Sequence, residues 1–156
     1  MTWRKLSFFL PVSPFGKQRP LASRRGDHIH MRTPEKTVSA EGEIRMWFRT
    51  NFPQHIPFDG PCSVAVVSWV ERKNADKKRA FPAKKPDLDN ACKLVFDAFN
   101  SIVWVDDSQV VSLHFVKRYA ETGNRVGYAV TVEQLRTRDE NEGKRPKKNS
   151  LLAEFS

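Results

Sequence analysis

The chain has little that could brace it covalently or anchor it in a membrane. Its two cysteines, Cys62 and Cys92, sit inside apolar segments without C-x-x-C spacing. That excludes a disulfide framework or a zinc ribbon and leaves two buried, inert thiols. No apolar run approaches bilayer length, and the opening MTWRKLSFFLPVSP is broken by proline too early for a signal peptide. A cytoplasmic protein without a membrane partner is expected. Histidine is sparse. His28 and His30 lie two apart in a basic segment, while His55 and His114 have no partner at ligand spacing, so none is assigned chemistry. Acidic residues are also the minority: 18 against 27 Lys and Arg, a formal charge of +9. Such a surplus points to a polyanionic partner. With 39% hydrophobic residues in 156, the chain is too apolar for a disordered basic tail and suits one domain with a modest core.

What is present divides into alternating apolar and basic stretches. Lys5 to Leu10 reads as a strand halted by Pro11, and residues 12–36 read as an extended cationic connection rich in Pro and Gly. A helix capped by Thr37 or Ser39 is expected to bury Ile44, Trp47 and Phe48 and to end before Pro53. CSVAVVSWV, residues 62–70, reads as a central strand covered on both faces. ERKNADKKRAFPAKKP, residues 71–86, carries seven basic side chains without a period and reads as an exposed loop. A second helix starts near Asp87 to Asn90. Its Ala91, Leu94, Val95, Ala98, Phe99 and Ile102 repeat at three and four, with Asp89, Lys93, Asp97 and Asn100 opposite. Phe96 alone interrupts that polar face and hints at an interface. A strand from Val110, a hairpin turn at ETGN and a second strand through Tyr128, Val130 and Val132 close the domain at about residue 135. Residues 136–156 read as a charged, mobile tail.

The question is why so basic a chain sets Asp87 and Asp89 before that helix and Asp106 and Asp107 after it. Helix capping explains one aspartate, and a polar turn explains the later pair. Taken together they say more, because a strand packing back on the helix would bring three or four carboxylates into convergence. Such a cluster repels itself unless a cation joins it, and hard oxygen ligands suit Mg²⁺ or Mn²⁺ bridging to a phosphate. A calcium EF-hand is excluded, since Cys92 stands where its loop needs Gly and Ala98 where it needs Glu. Lys93, one turn after Asp89, is either a solvated i,i+4 partner of Asp89 or Asp97 or an ammonium that stabilises phosphoryl charge.

KPDLDNACKLVFDAFNSIVWVDDSQVV resembles the core signature of the RusA-type Holliday-junction resolvases: D-x-D-N, a Lys one turn on, and D-D-x-Q. VSAEGE resembles the start of that family's first helix, and LPVSPFGKQRP its first strand and proline-rich loop. Ala91 departs from the pattern, which usually has a larger apolar residue there. The resemblance implies a small α+β domain, a mixed sheet with two main helices, acting as a homodimer that cuts four-way junction DNA with Mg²⁺ or Mn²⁺. By position it implies catalytic roles for Asp87, Asp89, Asp107 and Lys93, with Asp106 as a further metal ligand. Phosphate contacts are expected from Arg72, Lys73, Lys77, Lys78, Arg79, Lys84 and Lys85, and from Lys17, Arg19, Arg24 and Arg25. Rival readings are a junction- or duplex-binding protein without catalysis and a metal-dependent hydrolase of small phosphate esters, the latter disfavoured by the basic surface.

Overall fold

The computed structural model describes residues 4–16, 20–121 and 125–135. Trp3, Lys17, Arg19, the turn residues 122–124, the side chain of Arg25 and the segment 136–156 lie outside the described residues. In chain order the elements are β1 (Lys5–Leu10), β2 (Leu21–Arg25), β3 (His28–Arg32), α1 (Glu35–Asn51), β4 (Cys62–Glu71), α2 (Leu88–Phe99), β5 (Val110–Ala120) and β6 (Gly127–Gln134). Short 3₁₀ turns lie at Asn74–Asp76 and Asp107–Gln109. β1, β6, β4 and β5 form one sheet in that order, with β4 and β5 parallel and the other pairs antiparallel. This is the mixed α+β single domain that the sequence predicts. Among the described residues, no helix is long and apolar enough to cross a membrane.

Parallel strands cannot be joined by a tight turn, so β4 and β5 are linked through the crossover helix α2. All five apolar side chains on the inner face of α2 within its bounds, Ala91, Leu94, Val95, Ala98 and Phe99, are buried. With Ile44 and Phe48 of α1 they cover one face of the sheet, against Leu10, Val64, Val66, Tyr128, Val130 and Val132. Fully burying each of the larger side chains stabilises the fold by roughly 1.5–3 kcal/mol. At the start of β6, Gly127 has positive φ, and a Cβ there would collide with the Leu10 carbonyl, so the close approach of β1 requires glycine.

Several expectations are corrected. Residues 12–36 are not one extended connection, because β2 and β3 pair antiparallel about Gly26. Gly26 at φ 64 starts a two-residue turn of the kind that favours hairpins. α1 begins earlier than Thr37 or Ser39, at Glu35 after Pro34, with no side-chain cap; the Pro34 carbonyl accepts from Thr37 and Val38 instead. β4 is central, but it is buried on alternate residues only, Cys62, Val64, Val66 and Ser68, so one face alone carries helices. β5 and β6 do not form a hairpin: β6 lies between β1 and β4, and β4 separates it from β5. Local turn residues mark a chain reversal without deciding beside which strand the chain returns. Phe96, half-buried, packs against the core with its ring 5.0 Å from that of fully buried Trp104.

Candidate active site

Asp87 occupies the N-cap position of α2 with extended backbone, and Asp89 lies in the first turn. The Asp87 carboxylate nevertheless makes no cap bond to the helix. Its contact is with the Asn90 amide at 3.4 Å, at the weak end of hydrogen bonding. Capping therefore does not account for this side chain. Asp87 and Asp89 stand exposed at the positive end of the helix, which favours carboxylates and anionic ligands alike. Lys93 is exposed one turn further on.

The approach to Asp87 is held from below by a residue whose role the sequence reading missed. Lys117 of β5 donates to the carbonyls of Lys84 at 2.6 Å and Pro86 at 2.8 Å. A signal was available, for Lys117 falls between Phe115 and Tyr119 on the inward-facing alternation of β5, where a lysine needs acceptors. From the other side Gly16 passes close to Pro86 and Asn90: a Cβ there would lie 3.3 Å and 3.5 Å from their Cβ atoms. The proline-rich loop after β1 thus reaches the start of α2.

The later aspartates separate. Asp106 caps the 3₁₀ turn Asp107–Gln109: its carboxylate accepts from the Ser108 N–H at 2.9 Å, and Gln109 returns a bond to the Asp106 N–H at 2.8 Å. Hydrogen bonds from Ser108, from the hydroxyl first and the backbone second, hold the Asp106 carboxyl below its ordinary range. Gln109 also donates to the carbonyls of Phe58 and Gly60, both at 3.1 Å, which pins the turn. That turn packs on α2 and leaves Asp107 half-buried without a capping duty. The donor set of Asp87, Asp89 and Asp107 fits a hard divalent cation in kind. Among the described residues, however, no three His, Cys, Asp or Glu side chains stand together in a metal-holding group. The expected convergence of three or four carboxylates is thus not formed among the described residues, with Asp106 committed to its cap.

Loop 71–86 has an interior. Asp76 is 5% exposed, with Lys84 at 2.5 Å and Arg79 at 3.7 Å from its carboxylate. The hydrogen bond from Lys84 is the main cause that lowers the Asp76 carboxyl from its ordinary value. Arg72 donates to the carbonyls of Asp76 and Arg79, pairs with Glu121 at 2.7 Å and lies over the Tyr119 ring. Arg72, Arg79 and Lys84 therefore hold the loop together, the last two with half of the side chain still in solvent, and Lys73, Lys77, Lys78 and Lys85 are exposed. Arg24, on the ribbon of β2 and β3, donates to Gly26 and stands 4.0 Å from Asp27, both side chains in solvent. Burial keeps the two thiols protonated, with Cys62 raised and Cys92 pushed up to about 11. The His55 ring bonds the Val103 carbonyl through Nε2 at 3.0 Å.

With this geometry in place, the class of the protein follows from comparison. The chain belongs to the endodeoxyribonuclease RusA family, whose model matches residues 11–133. That span includes both aspartate pairs, Lys93 and the basic loop. The chain is also 32% identical over 127 residues to "Uncharacterized protein YqaN" of Bacillus subtilis (strain 168), an alignment covering 74% of this chain and 89% of that protein.

Proposed function

We propose that the protein is a divalent-metal-dependent endonuclease that resolves four-way DNA junctions as a homodimer. The observation that carries the reading is the Asp87 carboxylate, at an N-cap position but not capping, beside exposed Asp89 and within the matched family span. Asp87, Asp89 and Asp107 would hold a divalent cation, which would supply an activated water and charge neutralisation at the scissile phosphate, while Asp106 stays on its cap. The Lys93 ammonium stabilises charge on the phosphoryl oxygens. Lys73, Lys77, Lys78 and Lys85 hold backbone phosphates, supported by the ribbon through Arg24. A junction has two-fold symmetry, so a homodimer presents one site to each of two opposed strands.

The unformed carboxylate cluster favours a second reading, junction binding without cleavage. One assay separates them: a synthetic four-way junction and a linear duplex, each with and without Mg²⁺. Paired nicks in the junction alone, lost without metal, are expected. Asp87→Asn, Asp89→Asn and Asp107→Asn should each lower the rate on the order of a hundredfold or more while binding is kept. Lys93→Ala should cut as poorly yet melt like the parent, since an exposed ion pair contributes well under about 1 kcal/mol. Metal-independent binding with no nicks would establish the second reading.

A further inference from the structure

Beside Asp87 the surface opens into a groove that the catalytic reading leaves unused. About 300 Å³ in volume, it is lined by Phe81, Pro82, Leu88, Phe115 and Arg118, among others, and Leu88 is the residue between Asp87 and Asp89. Phe81 is 61% exposed in a loop otherwise rich in lysine, and Leu88, at the start of α2, is 42% exposed. The Arg118 guanidinium lies over the Phe81 ring, 5.2 Å from its centroid. The ring is presented on a braced segment. Ala83 donates to the Phe81 carbonyl at 2.9 Å, Pro82 is buried, and the Asp76–Lys84 pair and Lys117 tie down the chain that follows.

We propose that this groove receives an unstacked nucleobase of the DNA strand next to the scissile phosphate, with Phe81 as the stacking surface. The inference rests on the nuclease reading and adds to it a residue that recognises distorted DNA. Charge selects the occupant. A second copy of the chain would bring Arg118 and the exposed lysines of the loop against their own kind, which costs association energy. A nucleotide offers an apolar π-face and a phosphate together, matching an aromatic ring rimmed by cations. Bases inside a continuous duplex are stacked and unavailable, whereas a branch point frees them, so the groove discriminates for open DNA.

The test uses the full chain with Phe81→Trp and Phe81→Leu. Extra indole fluorescence in Phe81→Trp, over the wild-type background, should be quenched by a short single-stranded oligonucleotide. Phe81→Leu, which keeps an apolar side chain without a π-face, should bind the junction roughly tenfold more weakly with linear-duplex affinity unchanged. Its melting temperature should not move, because the ring is mostly exposed. Absence of the extra quench together with unchanged junction affinity in Phe81→Leu overturns the proposal. So does a shift to smaller species on sedimentation of Phe81→Leu, which would give the groove to a second copy. Quenching by a protein that neither prefers nor cuts junctions would keep the stacking site and remove the resolvase reading, and junction cleavage without quenching would do the reverse.

Discussion

Loop 71–86 and the ribbon of β2 and β3 are both basic, both marked by Pro or Gly, and both aperiodic in sequence, yet they are held in opposite ways. The loop is closed around buried Asp76, and three of its seven cations point inward to carboxylates and carbonyls. The ribbon packs extensively only on itself, and every side chain described in it is exposed, including Leu21 at 54%, Ile29 at 72% and Met31 at 64%. Ala22, Arg24, Ile29 and Met31 share one face, while Leu21, Ser23, His28, His30 and Arg32 share the other. A two-stranded hairpin alone is marginal in water. The difference teaches that a count of Lys and Arg is not a count of charges offered to DNA. In the loop part of the charge is closed around a buried carboxylate, whereas in the ribbon Arg24 reaches only its own turn, in solvent.

The sharpest way to break this contrast is Asp76→Ala, which leaves the Lys84 and Arg79 charges without their shared carboxylate. Trypsin cleavage after Lys77, Lys78 and Arg79 should then quicken about tenfold or more, while cleavage after Arg24 in the ribbon stays as in wild type. Acid should act the same way. The folded-state carboxyl of Asp76 is depressed, so its contribution is fully present above the unfolded value of about 3.9 and is lost as pH falls through the lower folded value. Loop protection that survives both the substitution and titration from pH 5 to pH 2 would show that Asp76 is not the anchor.

A smaller effect divides the cations of the loop itself. Arg72→Ala should cost roughly 1–2 kcal/mol in denaturant unfolding, because two carbonyls lose their donor, and should leave the salt dependence of DNA binding unchanged. Lys77→Ala with Lys78→Ala should do the opposite, sparing stability and lowering the slope of log affinity against log salt by about one per lost phosphate contact. An equal loss of slope from Arg72→Ala would place that guanidinium on DNA.

The smallest effect is expected in the ribbon. Ile29→Thr and Met31→Thr remove exposed apolar groups and should move unfolding free energy by no more than about 0.5 kcal/mol. A drop of several times that size, dependent on protein concentration, would show the apolar face to be covered in solution.

Much of the fold is legible in the sequence, and the reasons lie in particular residues. α2 was legible because Ala91, Leu94, Val95, Ala98 and Phe99 follow one helical period, and its N-terminal aspartates came with it. β5 was legible from Val110 onward. The ribbon was not, since Ile29 and Met31 alternate with polar residues over five positions only and β2 offers no matching apolar run, leaving Gly26 and Asp27 as the other sign of a turn. Asp76 was hidden because its partners, Lys84 and Arg79, could not be told from their solvated neighbours.

Composition and local spacing suffice for the elements that carry periodic burial, for the basic excess, and for the D-x-D-N and D-D-x-Q pairs that lie within the family span. These are local or compositional properties, set within a few turns of chain. Long-range packing was needed to place β6 beside β4 and β1 instead of β5, to spend Asp106 and not Asp107 on a cap, and to choose which lysines and arginines bind carboxylates and carbonyls. Those outcomes depend on contacts between residues distant in sequence, where a carboxylate, a carbonyl or a neighbouring strand competes for each group, and no local pattern records which competitor prevails.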